Sequence, residues 1–206
     1  MGLDVDAKLA EELVSGLVAH AKQTINFVRV DMEGSPHTQR TLDFVHKLHA
    51  DSGNQGVVGA VIQSYLRRSQ QDVEALLAAR IRIRLCKGAY QEPPEIAFQK
   101  KAEVDANFVA LTKMLLKSGV YHGIATHDPK MIQAGIAFAK VEKIPGDAFE
   151  FQMLYGIRRD LQQQLVRDGW RMRVYIPFGT EWYPYFMRRL AERPANVFFV
   201  LKNLFR

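Results

Sequence analysis

The chain has one cysteine in 206 residues, which excludes an intrachain disulfide framework and points to a reducing compartment. No apolar run approaches the roughly 20 residues that span a bilayer, and the acidic start, MGLDVDAKLAEE, has no apolar signal core. There is no Pro/Ser-rich linker, no low-complexity tract and no composition shift, so residues 1–206 read as a single, partial barrel domain. There is no G-x-G-x-x-G for a dinucleotide, no G-x-x-x-x-G-K-[ST] phosphate loop and no G-x-S-x-G nucleophile elbow. The net charge of +6 comes from Lys and Arg scattered among acids, without a run of five. That pattern suits a solvated surface and a few arginines in an anion-binding pocket, and no nucleic-acid module accompanies it.

What the chain does have is a repeat. Six strand-like segments read FVRVD (27–31), VVGAVIQ (57–63), IRIRLCK (81–87), HGIATHD (122–128), FEFQMLY (149–155) and RVYIP (173–177). Helix-like stretches follow them, at intervals long enough for a strand, a crossover helix and two loops. The expected fold is α/β, of the (β/α)8 TIM-barrel type, incomplete at six of eight units. Several helix ends are marked. Ser35-Pro36 predicts an N-cap followed by proline, Ser69 with Asp72 a capping-box variant, Asp128-Pro129 a helix start, and Gly119 and Gly169 helix stops. In the first helix, over 7–22, Leu9, Leu13 and Leu17 share a face, with Ala10, Val14 and Val18 beside them. Residues 181–193 place Tyr183, Phe186, Met187 and Leu190 on an apolar face.

In such a barrel the chemistry sits at the carboxyl ends of the strands. There Asp31, Gln63, Arg84 with Lys87, Thr126 with His127, and Gln152 would face one rim. So many polar groups at the ends of apolar strands argue for a polar ligand in the mouth. Lys87-Gly88-Ala89 sets a cation beside two small residues, where backbone N–H groups can approach a phosphate. In WYPYFMRRLAERPAN, Glu192 stands at i+4 from Arg188 and i+3 from Arg189, and the guanidiniums suit bidentate capture of a carboxylate. Tyr175 could supply an aromatic wall beside them. Asp43, His46 and His49 have metal-ligand spacing but lie mid-helix, which favours a plain polar face. Cys86, within a strand pattern, reads as a small buried side chain.

The segments VRVDMEGS, VIQSYL, RIRLCKGAY, ATHD, FEFQMLYG and VYIPFGTEWYPYFMRRLAERPAN, in this order, closely resemble the proline dehydrogenases, from about Gly2 to the C-terminus. The resemblance implies an FAD-dependent (β/α)8 barrel. It would oxidise L-proline to Δ1-pyrroline-5-carboxylate in proline catabolism and pass electrons to a quinone. The implied setting is the cytoplasm, with peripheral contact at the inner face of a membrane. Arg188 and Arg189 match the pair that binds the proline carboxylate, with Glu192 holding them. Tyr175 matches the tyrosine on the proline ring and Leu154 an apolar residue near the substrate. Arg84 matches the arginine beside the flavin ring and Asp31 the strand-end aspartate of the active site. Met32, Gln63, Lys87, Gly88, Ala89, Thr126, His127 and Gln152 match FAD-contacting positions.

Two departures from the family stand out. Cys86 replaces a common valine of similar size. At the front, the family has an earlier strand ending in a lysine that contacts substrate and flavin, then a loop like Leu-Gly-Leu-Asp. Gly2-Leu3-Asp4 matches the tail of that loop, so the six strands are expected to be strands three to eight of the barrel. The rival reading from another class is an inactive fragment or assembly module, which self-associates or needs a partner to complete the barrel. A third is a barrel enzyme acting on a different carboxylate.

Overall fold

The computed structural model describes residues 5–51 and 53–180. The elements run α1 (Ala7–Gln23), β1 (Val28–Val30), α2 (Ser35–Ala50), β2 (Val58–Gln63), α3 (Ser69–Ala78) and β3 (Arg82–Cys86). After these come α4 (Lys101–Lys117), β4 (Gly123–Ala125), α5 (Pro129–Val141), β5 (Glu150–Leu154), α6 (Arg159–Arg167) and β6 (Met172–Tyr175). Each expected strand is present and shorter than expected; β6 begins one residue earlier, at Met172, and ends at Tyr175. The strands pair in sequence order, every neighbouring pair parallel, into one curled sheet that forms part of a barrel wall. Among the described residues no helix is long and apolar enough to cross a membrane.

Alternation decides which way each side chain points, because strand residues face opposite sides in turn. In β3, Ile83 and Leu85 are fully buried while Arg82, Arg84 and Cys86 are half-buried. The register carries this pattern across the sheet. Ile83 pairs with Ala60, and Leu85 pairs with Ile62 and Ile124, which itself pairs with Phe151. These apolar residues form the main core with Val73 and Leu76 of α3, Phe108, Leu111 and Leu115 of α4, and Ile132 and Ile136 of α5. Phe149, Phe151 and Trp170 add an aromatic cluster, with the two phenylalanine rings edge to face at 5.4 Å. The helices therefore lie on the convex side. The concave side receives the other register rows: Arg29 with Gly59 and Arg82, Val61 with Arg84, Gly123 with Glu150, and Gln152 with Arg173.

Two expectations of local structure need correction, and in α1 the structure decides which apolar row is buried. In α1 the buried residues are Ala10, Val14, Val18 and Ala21, and Leu9, Leu13 and Leu17 are each about half exposed. Val14 and Val18 pack against Leu48 and Val58, so the smaller residues take the face that approaches the sheet. The N-cap of α2 is Gly34 rather than Ser35, whose N–H and hydroxyl both turn to Glu92. The N-cap of α3 is Arg68. Ser69 accepts from Asn107, and the Asp72 carboxylate is held by the Arg68 guanidinium at 2.8–3.1 Å. The other marks hold. The Asp128 carboxylate accepts from Lys130 N–H as an N-cap, and Gly119 and Gly169 follow their helices with φ of +68° and +84°. The expected helix over 181–193 lies outside the described residues.

Candidate functional site

Where the six strands end, their inward side chains surround a cavity of about 350 Å³. Its lining includes every candidate from the sequence that falls within the described residues. Asp31 and Met32 come from the end of β1, Gln63 from β2, and Arg84 with Lys87, Gly88 and Ala89 from β3. Thr126 and His127 follow β4, Gln152 and Leu154 belong to β5, and Tyr175 closes β6. Arg188, Arg189 and Glu192 lie outside the described residues.

Gln63 is buried and its amide nitrogen donates to the carbonyls of Met32 and Glu33 at 3.0 and 3.2 Å, bracing the loop after β1. Its amide oxygen is buried without a hydrogen-bond partner among the described residues. Arg84 places Nη1 3.5 Å from the Asp31 carboxylate and its guanidinium 5.5 Å from the centre of the Tyr175 ring. Its Nε is likewise buried with no partner among the described residues. The two residues that carry these orphaned atoms both line the cavity, and buried polar atoms left unpaired are costly.

The other rim residues are held in place by their neighbours. Thr126 Oγ1 accepts from Asp128 N–H at 3.1 Å. His127 Nε2 accepts the backbone N–H of Leu154 at 2.9 Å. Burial first, then Arg158 and Arg84, lower the His127 imidazole to a pKa of about 4, so the ring is neutral at pH 7. Lys87 does not extend freely towards a phosphate. Its ammonium is bound by Asp105 at 2.5 Å and Asp128 at 2.9 Å. Burial, the largest single influence, would raise these two carboxyls; Lys101 and Lys87 at Asp105, and Lys87, the Lys130 N–H and Lys101 at Asp128, together outweigh it and hold both below the usual range. Gly88 has φ +94°, and a Cβ there would lie 2.2 Å from the Tyr65 ring, so no other residue fits without displacement.

Beneath the cavity the concave face is a charged frame. Glu150 is buried and accepts from Arg173 at 2.5 Å, Gln152 at 2.7 Å and Tyr121 at 2.9 Å. Burial works against its ionisation, but these donors prevail and its carboxyl sits lower than usual. Arg29 donates to the carbonyl of Ala60 at 3.0 Å. Its pKa is lowered to about 9, by burial first and then by Arg82 and Arg84. Arg29 and Arg82 both stack on Phe27, at 4.7 and 4.1 Å. Together with Glu150 and Arg173 they line a second, larger cavity of about 780 Å³. Gly123 makes room for this frame, since a Cβ there would lie 2.4 Å from the Gln152 amide.

Sequence reasoning missed Glu33 and Tyr90, which also line the upper cavity. Their signal was present, because Glu33 stands two residues after Asp31 and Tyr90 ends the stretch RIRLCKGAY. Cys86 is half-buried, lines the cavity and packs against the edge of the main core. Among the described residues no group of His, Cys, Asp and Glu could hold a metal, and Asp43 is bonded to Gln39.

The sequence profile of the proline dehydrogenase family matches residues 2–202. Proline dehydrogenase 1 of Bacillus subtilis (strain 168) is 41% identical over 206 residues, covering 100% of this chain and 67% of that protein. The proline dehydrogenase of Deinococcus radiodurans is 45% identical over 190 residues, or 92% of this chain and 61% of that one. The fold is similar to that of a proline utilization A (PutA) protein solved with proline bound in remote sites: TM-score 0.82, 28% identity, 94% of this chain and 22% of the other. PutA of Bdellovibrio bacteriovorus, inactivated by N-propargylglycine, gives a TM-score of 0.78 at 30% identity, with 84% and 20% coverage. The chain thus spans about two thirds of the length of its curated relatives and about a fifth of the PutA chains. A profile match along nearly every residue, with relatives above 40% identity, leaves one conclusion: the chain belongs to the proline dehydrogenase family.

Proposed function

We propose that this chain forms the catalytic wall of an enzyme that oxidises L-proline to Δ1-pyrroline-5-carboxylate with FAD, electrons passing on to a quinone at a membrane surface. The observation that carries the reading is that Gln63 and Arg84, each with a buried polar atom unpaired among the described residues, line one cavity at the strand ends. An acceptor and a donor left open together fit a ligand whose edge alternates donors and acceptors, as a flavin ring does. FAD, when bound, supplies the hydride-accepting chemistry.

The chain's own residues orient and polarise. Arg84, placed by Asp31 and by the Tyr175 ring, is a fixed cation that favours negative charge developing beside it. Tyr175 and Leu154 limit the room above the donor carbon of proline, and holding that carbon near attack distance lowers the entropic part of the barrier. Arg188 and Arg189, steadied by Glu192, would take the substrate carboxylate in bidentate fashion. Two further strands, from whatever polypeptide, would close the wall between β6 and β1, and turnover is expected to depend on them. An inactive assembly module remains the contrasting reading, and turnover in a closed barrel separates the two.

The test has two arms. The purified chain, reconstituted with FAD and passed through gel filtration, should carry a flavin absorbance band. In a turnover-competent form, Arg189→Met should raise KM for proline strongly, since removing one partner of a buried charged hydrogen bond costs about 2–5 kcal/mol, with flavin retained. A colourless chain, or a KM for proline that neither Arg188→Met nor Arg189→Met changes, would overturn the reading.

A further inference from the structure

Two loops at the rim of the cavity hold one another by exchanging carboxylates. The loop after β1 carries Glu33 and ends at Ser35, the first residue of α2; the loop after β3 carries Tyr90 and Glu92. The Tyr90 hydroxyl donates to the Glu33 carboxylate. In the other direction, Ser35 donates its backbone N–H to one oxygen of Glu92 at 2.7 Å and its hydroxyl to the other at 2.6 Å. Strands β1 and β3 are not neighbours, because β2 lies between them. The exchange is therefore an arch across the end of β2, with Gln63 bracing the loop after β1 and the Tyr65 ring packed under Gly88.

The far end of the second loop is anchored independently. Arg67 N–H donates to Ile96 O at 2.9 Å, Phe98 N–H to Tyr65 O at 2.8 Å, and the Arg67 guanidinium to Pro94 O at 2.7 Å. The intervening stretch, 88–92, is a wall with space on both sides. Gly88 and Tyr90 line the upper cavity and also a separate crevice of about 770 Å³. Tyr90 rests against the cluster of Tyr65, Leu66 and Ala97, and with space on either side of the wall charge-assisted hydrogen bonds, shorter and stronger than neutral ones, complete its positioning. Ser35 and Glu92 do not themselves line the upper cavity, so they act on it only through the wall.

We propose that Glu33–Tyr90 and Ser35–Glu92 form a reciprocal latch that holds the 88–92 wall against the cavity and sets how fast a ligand leaves it. Ser35 and Glu92 are positioning residues. That the ligand is FAD rests on the reading above; the latch itself does not.

The experiment uses the whole chain in two measurements: hydrogen exchange by mass spectrometry without ligand, and release of bound FAD followed by its fluorescence. Glu92→Ala should speed exchange in peptides covering 33–35 and 88–92 by roughly tenfold or more, as expected when a hydrogen bond to a charged group is lost from a local opening unit. Peptides from α3 and α4 should be unmoved, and FAD release should quicken by a similar factor. Glu92→Gln, which keeps an acceptor for Ser35, should fall between. Glu95→Ala, at an exposed position on the same loop, should match the parent. If Glu92→Ala fails to fold, Ser35→Ala removes one of the two donors and should give a smaller rise of the same kind. Unchanged exchange in the two loops would overturn the latch. So would faster exchange with an unchanged FAD release rate, because the contact would then be scaffold alone. A parent chain that retains no FAD counts against the flavin reading, and the exchange measurement then decides the latch without it.

Discussion

The two faces of this one sheet follow opposite rules. The convex face is aliphatic and aromatic, enclosed by helices, and its side chains are fully buried: Ala60, Ile83, Leu85, Ile124 and Phe151. The concave face carries Arg29, Arg82, Arg84 and Arg173 against Glu150 and Asp31, with Gln63 and Gln152 between them. Barrel interiors are usually filled by branched apolar residues. Here glycine at 123 leaves room for the Gln152 side chain, and glycine at 59 for the Phe27 ring on which Arg29 and Arg82 stack. Stability is thus concentrated on one face and chemistry on the other, although consecutive residues of the same strand supply both.

Substitutions can test how separate the faces are. The largest effect is expected on the convex side. Phe151→Ala empties a fully buried site beside Phe149 and Trp170 and should cost about 3–5 kcal/mol, read as a lower denaturation midpoint, while binding at the cavity is kept in the folded fraction. Glu150→Gln, on the concave side, removes the charge that gathers Arg173, Gln152 and Tyr121. It should cost about 2–3 kcal/mol and, unlike Phe151→Ala, should also weaken binding at the cavity above. Equal loss of binding in both variants would break the comparison.

Acid should reach both faces. The folded pKa values of His122 and His127 are lowered to about 3 and about 4, mainly by burial, against 6.5 for the free side chain. Below pH 6.5 the unfolded chain therefore binds more protons than the folded one. The stability contributed by the neutral rings is complete above that pH and is lost as pH falls towards 4, at about 1.4 kcal/mol per pH unit for each histidine. Thermal melts between pH 7 and 4 should show the slope, and His122→Asn should remove about half of it. The smallest effect belongs to neither face. The Lys47–Glu11 pair, at 2.6 Å but with the lysine 65% exposed, should change stability by less than about 0.5 kcal/mol when Lys47 becomes Ala.

Most of the wall was legible in the sequence because a strand buried by helices on one side alternates visibly, as IRIRLCK does. The rim was legible for the same reason: inward parity at a strand end places Gln63, Arg84 and Gln152 together. Contacts between loops were not legible. Ser35 looked like a helix cap because serine before proline usually is one, and only the fold brings Glu92 to it. Lys87 looked free for a phosphate because Asp105 and Asp128 lie far along the chain. The buried face of α1 was not legible for a different reason. Leu9, Leu13 and Leu17 are as well spaced as the smaller residues beside them, and periodicity does not say which of two adjacent apolar rows meets the sheet.

One bond at the rim fixes the direction in which hydrogen bonds can run there. A backbone N–H can only give, so the nitrogen of His127 that meets Leu154 N–H must be bare. The ring's one hydrogen is then confined to Nδ1, and the low basicity of the ring keeps it to one. This histidine can offer a hydrogen to a partner but has no lone pair left with which to strip one away. An ammonium bound beside it would have to lose its proton to some other group, and His127 would not serve as the base.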